Sequence, residues 1–129
     1  MKKVLIMILT LCMICASLVS CGNSEETQVK YLLYCGLNDA DSGNQTLTVA
    51  DAQEDVRKII TDKGLGYTEY VTYGAYTDNG TVKGNDTLVY VICYAKAEDV
   101  EAVAKEIKKE LNLASVLFEE VESSYSFVD

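Results

Sequence analysis

The stretch that decides the fold is TLVYVICYA, from Thr87 to Ala95, in which the eight residues after Thr87 are all apolar or aromatic. A run this rich in β-branched and aromatic residues predicts a buried β-strand. A second run, VKYLLYCGL from Val29 to Leu37, has the same character and closes at the turn-rich segment Asn38–Asn44. We therefore expect these two runs to be the central strands of one sheet.

Two amphipathic helices are predicted, one after each of these strands. Apolar residues recur with a helical period from Val49 to Ile60, where Thr48 can cap the N-terminus and Gly64 provides a left-handed C-cap. A second stripe runs from Val100 to Leu111, with acidic residues in its first turn and lysines towards its end. Each helix thus has one apolar face to pack on the sheet.

A β-hairpin is predicted between the two helices. The segment from Tyr67 to Thr77 is rich in aromatic and β-branched residues, and the Asp-Asn-Gly sequence at positions 78–80 is a strong reverse-turn signal. The polar sequence Lys83–Asp86 interrupts the return strand, and we expect a β-bulge there. A last strand is predicted from Ser115 to Phe118, continuing to Val121.

The resulting order, strand, helix, strand, strand, helix, strand, is that of the α+β ferredoxin-like sandwich. Right-handed crossovers then give an antiparallel sheet in the order 4-1-3-2, with both helices on one face. This order places the two most apolar strands in the centre. The other face of the sheet is left open.

The first 20 residues read as a secretory signal. Lys2 and Lys3 precede an apolar run that ends at Ser20, which is shorter than the ~20 apolar residues of a membrane-spanning helix. The sequence Leu-Val-Ser-Cys ending at Cys21 resembles the bacterial lipobox. This resemblance implies that the Cys21 sulfur takes a diacylglyceryl group and that cleavage makes Cys21 the first mature residue.

A lipidated Cys21 would hold the mature chain at the extracytoplasmic face of a bacterial membrane, because two acyl chains anchor stably where one does not. We expect residues 21–28, which include no apolar residue after Cys21, to be the lipidated cysteine and a flexible tether. The folded domain is then predicted to occupy residues 29–129.

The composition narrows the possible functions. The net charge is −9, and without Lys2 and Lys3 nine basic residues face 20 acidic ones, so nucleic-acid binding is disfavoured. The sequence contains no His, which removes Ser-His-Asp and Cys-His nucleophile pairs and imidazole metal sites. Because no nucleophile paired with a base is visible, we expect no enzymatic activity and no cofactor.

Two cysteines, Cys35 and Cys93, belong to the predicted domain. Both lie late in their strands, and the predicted strands are antiparallel neighbours, so the two thiols lie at opposite ends of the ladder. A separation on the order of 15–20 Å exceeds the ~7 Å Cα limit for a disulfide. We expect two buried free thiols.

The mature chain resembles a family of small, uncharacterised bacterial lipoproteins with a domain of unknown function. The resemblance rests on a tyrosine-rich strand that runs into Gly-Leu-Asn-Asp at 36–39, on Gly-Tyr-Thr at 66–68, and on Asn-Asp-Thr-Leu-Val-Tyr at 85–90. It extends over nearly all of residues 29–121, including the helix that ends in Leu-Asn. The resemblance implies no catalytic or binding residue.

Two acidic motifs are candidate sites. Asp39 and Asp41 alternate ahead of Gly43, which suggests a calcium loop, but Ala50 stands where an EF-hand needs its bidentate Glu. We expect the Asp and Gly residues there to form a turn and not to bind a metal ion. Glu119 and Glu120 cannot converge for acid–base hydrolysis, because adjacent strand residues point to opposite faces.

Tyrosine is the only unusual enrichment, with nine in the chain. We predict an apolar interaction surface on the open sheet face, because Tyr can cover large areas at a small entropic cost. Its predicted residues are Leu32, Tyr34, Tyr90, Ile92 and Tyr94. The alternative is that tyrosines are simply good strand formers.

These observations predict a membrane-anchored surface lipoprotein that works as a binding or assembly module. Its expected partners are the membrane, through the lipid anchor, and either a second copy or another protein, through the open sheet face. The alternative is a lipoprotein that binds a small molecule or a metal through the Asn38–Asn44 loop.

Overall fold

A computed structural model of the protein describes residues 28–124 and Val128. Cys21, the apolar segment before it and the tether up to Thr27 lie outside the described residues. The described elements are β1 (Gln28–Gly36), α1 (Val49–Asp62), β2 (Thr68–Asp78), β3 (Thr81–Ile92), α2 (Ala97–Glu110) and β4 (Val116–Ser123). The chain therefore enters its first strand one residue before the predicted start of the domain.

The four strands form one antiparallel sheet in the order β2-β3-β1-β4. This is the predicted 4-1-3-2 order read from the opposite edge, with the two most apolar strands, β1 and β3, in the centre. The prediction of an α+β ferredoxin-like fold is confirmed.

The core lies between one face of the sheet and the two helices. Alternate residues of β1 and β3 point into it, and each helix contributes its apolar stripe. Residues with no solvent exposure include Leu33, Leu88, Tyr90 and Ile92 from the sheet, Val56 and Ile60 from α1, and Val100, Val103 and Ile107 from α2. At the β4 side, Tyr31 stacks on Phe118 with ring centroids 5.7 Å apart.

The residues predicted to cap the two ends of α1 do so in the structure. The Thr48 hydroxyl oxygen accepts a hydrogen bond from the backbone N–H of Asp51 at 3.1 Å, and the same hydroxyl donates to the Asp51 carboxylate at 2.7 Å. Beyond the helix, Gly64 has φ +72°, the left-handed conformation that a C-terminal glycine supplies without strain. These contacts fix where α1 begins and ends on the sheet.

The predicted bulge in the hairpin is wrong. β2 and β3 pair in one unbroken register from Thr68↔Val91 to Asp78↔Thr81. The polar Asn85 fits into the ladder because Gly36 on the neighbouring strand β1 leaves room for its side chain. A Cβ at position 36 would lie only 2.8 Å from the Asn85 amide nitrogen.

Strand β3 ends at Ile92, three residues before the predicted end. Tyr94 has φ +56°, so the backbone leaves the extended conformation there and turns towards α2. Neither of the two described helices is long and apolar enough to cross a bilayer.

Candidate functional site: the open face of the sheet

The open face of the sheet is defined by the alternation of side chains along β1. Leu33 and Cys35 are fully buried and face the helices, so Leu32 and Tyr34 project from the opposite face. Both are half-buried. The prediction that Leu32 and Tyr34 lie on the open face agrees with this placement.

The placement predicted for Tyr90 and Ile92 is wrong. Tyr90 pairs with Leu33 and Ile92 pairs with Tyr31, so both lie on the helix-covered face, where each has no solvent exposure. The prediction chose the wrong parity for β3, and a shift of one residue moves every side chain to the other face. The strand contributes Val89 and Val91 to the open face instead.

The fifth predicted residue, Tyr94, is 60% exposed and lies beyond the end of β3. Its left-handed backbone removes it from the alternation of the strand. The structure therefore brings together two of the five predicted residues on the open face.

The open face consists of Leu32 and Tyr34, the residues paired with them across the sheet, and every second residue along each strand from these positions. Its apolar and aromatic members are Leu32, Tyr34, Tyr70, Tyr76, Val89, Val91, Leu117 and Val121. Tyr70 is 54% exposed and Leu117 is 61% exposed, on opposite sides of the central strands. Each of the four strands contributes two apolar or aromatic side chains to this surface, although Val89 is only 7% exposed, and polar positions lie between them. No described helix covers it.

Charge is sparse and balanced on the open face. Its described strand positions carry two lysines, Lys30 and Lys83, and two acidic residues, Asp78 and Glu119. Lys83 and Asp78 form an ion pair with an N–O distance of 2.8 Å. The open face is thus neutral in a chain whose net charge is −9.

Tyr34 and Glu119 form a side-chain hydrogen bond between β1 and β4. The Tyr34 hydroxyl donates to a Glu119 carboxylate oxygen at 2.8 Å. This hydrogen bond, together with burial and the carboxylate charge, raises the pKa of Tyr34. Glu120 pairs with the core residue Tyr31 and lies on the other face, so Glu119 and Glu120 diverge as predicted.

Sequence reasoning missed a polar cluster at the junction of α1, β2 and β3. The Glu69 carboxylate accepts hydrogen bonds from the Tyr90 hydroxyl at 2.7 Å, from Gln53 at 2.9 Å and from the Arg57 guanidinium at 2.6 and 2.9 Å. The Tyr67 ring meets the Tyr90 ring edge to face. The signal that could have found it is an acidic residue at a helix-facing position of β2 with an arginine on α1.

This cluster shifts two pKa values in opposite directions. Burial works to raise the pKa of Glu69, but the hydrogen bonds from Tyr90, Arg57 and Gln53 outweigh it and the pKa is lowered. Burial, followed by the contact with Glu69, raises the pKa of Tyr90. The arrangement ties α1 to the sheet through a charged carboxylate and a neutral phenol.

The loop Asn38–Asn44 is closed by hydrogen bonds within it and by the Asn112 side chain. One Asp39 oxygen accepts from the backbone N–H groups of Asp41 and Ser42, and the Asn112 amide donates to both Asp39 and Asp41 at 2.8 Å. The Ser42 backbone N–H is the main cause of the lowered pKa of Asp39. Among the described residues, no three His, Cys, Asp or Glu side chains are grouped to hold a metal ion.

Both domain cysteines are free thiols, as predicted. Cys35 is buried, and burial raises its pKa to about 12. Cys93 differs from the prediction, because it is only half-buried. It follows the last residue of β3, where the sheet no longer covers it fully.

Comparison with known proteins identifies the fold. No family model matches the chain, so the resemblance to a lipoprotein family gains no support, and no curated protein matches it significantly. Among solved structures, a phage SAM lyase in complex with S-methyl-5'-thioadenosine is similar, with a TM-score of 0.59, 21% identity, and coverage of 76% of this chain and 83% of the lyase. These values show a shared fold.

Two further solved structures share this architecture. The periplasmic divalent cation tolerance protein CutA from Archaeoglobus fulgidus gives a TM-score of 0.52 at 8% identity, covering 76% of this chain and 87% of that one. CutA1 from Oryza sativa gives 0.53 at 12% identity, covering 78% and 85%.

The expectation that the chain has no enzymatic activity is corrected by these structures. It rested on the absence of a nucleophile paired with a base, yet the similar proteins include a lyase of the same fold. The absence of His excludes some mechanisms. It does not exclude catalysis on this fold.

Proposed function

We propose that this protein is a membrane-anchored assembly module whose open sheet face binds the open sheet face of a second copy. The observation that carries the proposal is that each of the four strands contributes two apolar or aromatic side chains to that face, which neither described helix covers. Contiguous apolar surfaces of this kind on soluble domains usually mark an interaction site.

The charge distribution favours a second copy as the occupant. Two copies of an acidic chain repel each other wherever acidic surfaces meet. The open face carries two basic and two acidic residues, so it is a surface on which two copies can meet without net repulsion. A two-fold axis through this face would bury the same residues from both copies.

Leu117 is the residue best suited to test the contact. It is 61% exposed on the open face and pairs with Tyr34 on the neighbouring strand, so its side chain is available to a partner and contributes little to the core. A carboxylate at this position would place like charges against each other across the interface. We expect Leu117→Glu to reduce the mass of the assembly by at least half in light scattering of the full chain.

The matched control is Val82→Glu, which makes the same change at a position 72% exposed on the other side of the sheet. It should keep the wild-type mass. An unchanged mass for Leu117→Glu, or an equal loss in the two variants, would contradict an interface on the open face.

The membrane anchor is the second part of the proposal, and it rests on the Leu-Val-Ser-Cys sequence that ends at Cys21. Labelled palmitate should be incorporated into the wild-type protein. Cys21→Ala should abolish labelling and accumulate the uncut precursor, because the thioether cannot form. Cys93→Ala, which removes a half-buried thiol in the domain, is the control and should label normally. Equal labelling of the wild type and Cys21→Ala would refute the anchor.

A further inference from the structure

The two edges of the sheet, β2 and β4, differ in charge. β4 carries Glu119, Glu120 and Glu122 within eight residues, and charges of this kind prevent an edge from pairing with another strand. β2, in contrast, has no charged residue in the eight positions from Tyr70 to Thr77, and no proline. Only one edge of this sheet is protected by charge.

β2 is also exposed on both of its faces. Tyr70 and Tyr76 on the open face are 54% and 52% exposed, and Val71 and Tyr73 on the opposite face are 52% and 71% exposed. An exposed, long and uncharged edge strand presents unpaired backbone groups and apolar side chains to a partner strand. This edge has the properties of a pairing site.

The outer part of the hairpin has little support from the rest of the sheet. β1 pairs with β3 only from Thr87 to Ile92, so the hairpin beyond Tyr73 and Asp86 extends as a two-stranded ribbon. Two-stranded ribbons are marginally stable in water, and a third strand stabilises them. A strand added to the free edge of β2 would supply this support.

The turn of the hairpin determines which backbone groups face the free edge. Asn79 and Gly80 have φ +48° and +79°, as a two-residue type I′ turn requires. The flanking residues Asp78 and Thr81 then form a hydrogen-bonded pair, and such pairs alternate along an antiparallel ladder. Even-numbered residues of β2 therefore bond to β3, and the odd-numbered residues direct their N–H and C=O groups outwards.

We propose that β2 pairs antiparallel with β2 of a second copy, about a two-fold axis at Tyr73, to form a continuous eight-stranded sheet. The sequence around Tyr73 is nearly symmetric, so this register places similar or compatible residues opposite each other. Tyr70 faces Tyr76 of the second copy, Val71 faces Ala75, and Glu69 faces Thr77.

This register satisfies both the side chains and the backbone. Tyr70 and Tyr76 form a cross-strand aromatic pair, which stabilises antiparallel sheets, and no two like charges lie directly opposite. Tyr73, the residue on the axis, is odd-numbered, so it can exchange two backbone hydrogen bonds with its own copy. Pairing at this edge leaves the open face free, so the inference goes beyond the proposed function and does not depend on it.

A disulfide trap tests the register. In the proposed dimer the two Tyr73 Cα atoms lie about 5.5 Å apart, the separation of a hydrogen-bonded pair and within the range of a disulfide. We expect Tyr73→Cys in the full chain to give a covalent dimer on mild oxidation, detected as a doubled mass on non-reducing gels.

Two neighbouring variants are the matched controls. Val71→Cys and Ala75→Cys lie on the same edge, but each residue is offset from its own copy by four positions, about 14 Å along the strand. Neither should form a dimer above the wild-type background, whereas a mixture of the two should. Equal cross-linking at 71, 73 and 75, or none at 73, would overturn the proposal.

A combined variant separates this contact from the one on the open face. Tyr73→Cys should still cross-link when Leu117→Glu is also present, because β2 pairing does not use the open face. Loss of cross-linking only in the combined variant would show that the edge contact depends on the face contact and would overturn an independent β2 interface.

Discussion

The helix-covered face and the open face alternate residue by residue along β3, yet they are built differently. Leu88, Tyr90 and Ile92 have no solvent exposure beneath the helices, whereas the open face of the same strand carries the smaller Val89 and Val91. On the covered face, the largest side chains lie on the central strands of the sheet. The open face has its bulkiest exposed apolar residues on the outer strands, β2 and β4.

This difference shows what decides the face of an aromatic residue in an apolar strand. Both parities of β3 are apolar, so alternation alone assigns neither to the core. Tyr90 is buried because its hydroxyl has a partner, the Glu69 carboxylate, and its ring has the Tyr67 ring beside it. A tyrosine can lie in the core when its polar end is satisfied.

The largest expected effect comes from placing a charge on the covered face. Tyr90→Glu would bury a second carboxylate beside Glu69, so we expect the free energy of unfolding to fall by about 4 kcal/mol or more. Tyr70→Glu, the same substitution at a 54% exposed position of the open face, should change it by less than ~0.5 kcal/mol at a concentration low enough to prevent association. Urea denaturation measures both, and equal losses would contradict the assignment of faces.

The fold could be predicted from the sequence because its signals are local. The stripes of α1 and α2, the Thr48 cap and the Asn-Gly turn each specify an element within a few residues, and the order of elements then limits the topology. Local signals could not show whether the hairpin has a bulge. Whether Asn85 fits into a regular ladder depends on Gly36, which comes from another strand.

A smaller loss is expected when the buried phenol loses only its hydroxyl. Tyr90→Phe keeps the ring in the core but removes one hydrogen bond to the partly buried Glu69 carboxylate, which should cost about 1–3 kcal/mol. Tyr34→Phe removes the comparable hydrogen bond to Glu119 on the exposed face, and this should cost less because water replaces the lost donor. A larger loss for Tyr34→Phe would reverse the proposed difference between the faces.

Acid should affect the covered face through Glu69. Its folded pKa lies below the ordinary value of 4.5, so its charge stabilises the fold above pH ~4.5, and this contribution is lost as the pH falls through the lower folded pKa. Glu69→Gln should therefore flatten the decline of the unfolding free energy below pH ~4.5. Glu54→Gln, at an exposed position of α1, should leave the decline unchanged. Equal slopes for wild type and Glu69→Gln would contradict this role.

The candidate site was harder to predict than the fold. Leu32 and Tyr34 could be placed on the open face because they alternate along β1 with Leu33 and Cys35, which belong to the core. The positions of Tyr90 and Tyr94 depended on the partner of one hydroxyl and on one left-handed residue, and neither has a local sequence signal. The uncharged run in β2 was visible in the sequence, but its edge position followed only from the strand order.

The smallest expected effect on stability is that of Leu117→Glu. A small effect is needed here, because only then does a loss of assembly in light scattering report on the interface and not on unfolding. Leu117 is 61% exposed and lies on the edge strand β4, so Leu117→Glu removes little buried apolar area from the isolated domain. We expect its unfolding free energy, measured in urea at a concentration low enough to prevent association, to stay within ~0.5 kcal/mol of wild type. At higher concentration the wild type should gain more stability than Leu117→Glu, because the variant loses the open-face contact and each interface that forms stabilises with concentration. A concentration dependence that is the same in both proteins would mean that the open face takes no part in assembly.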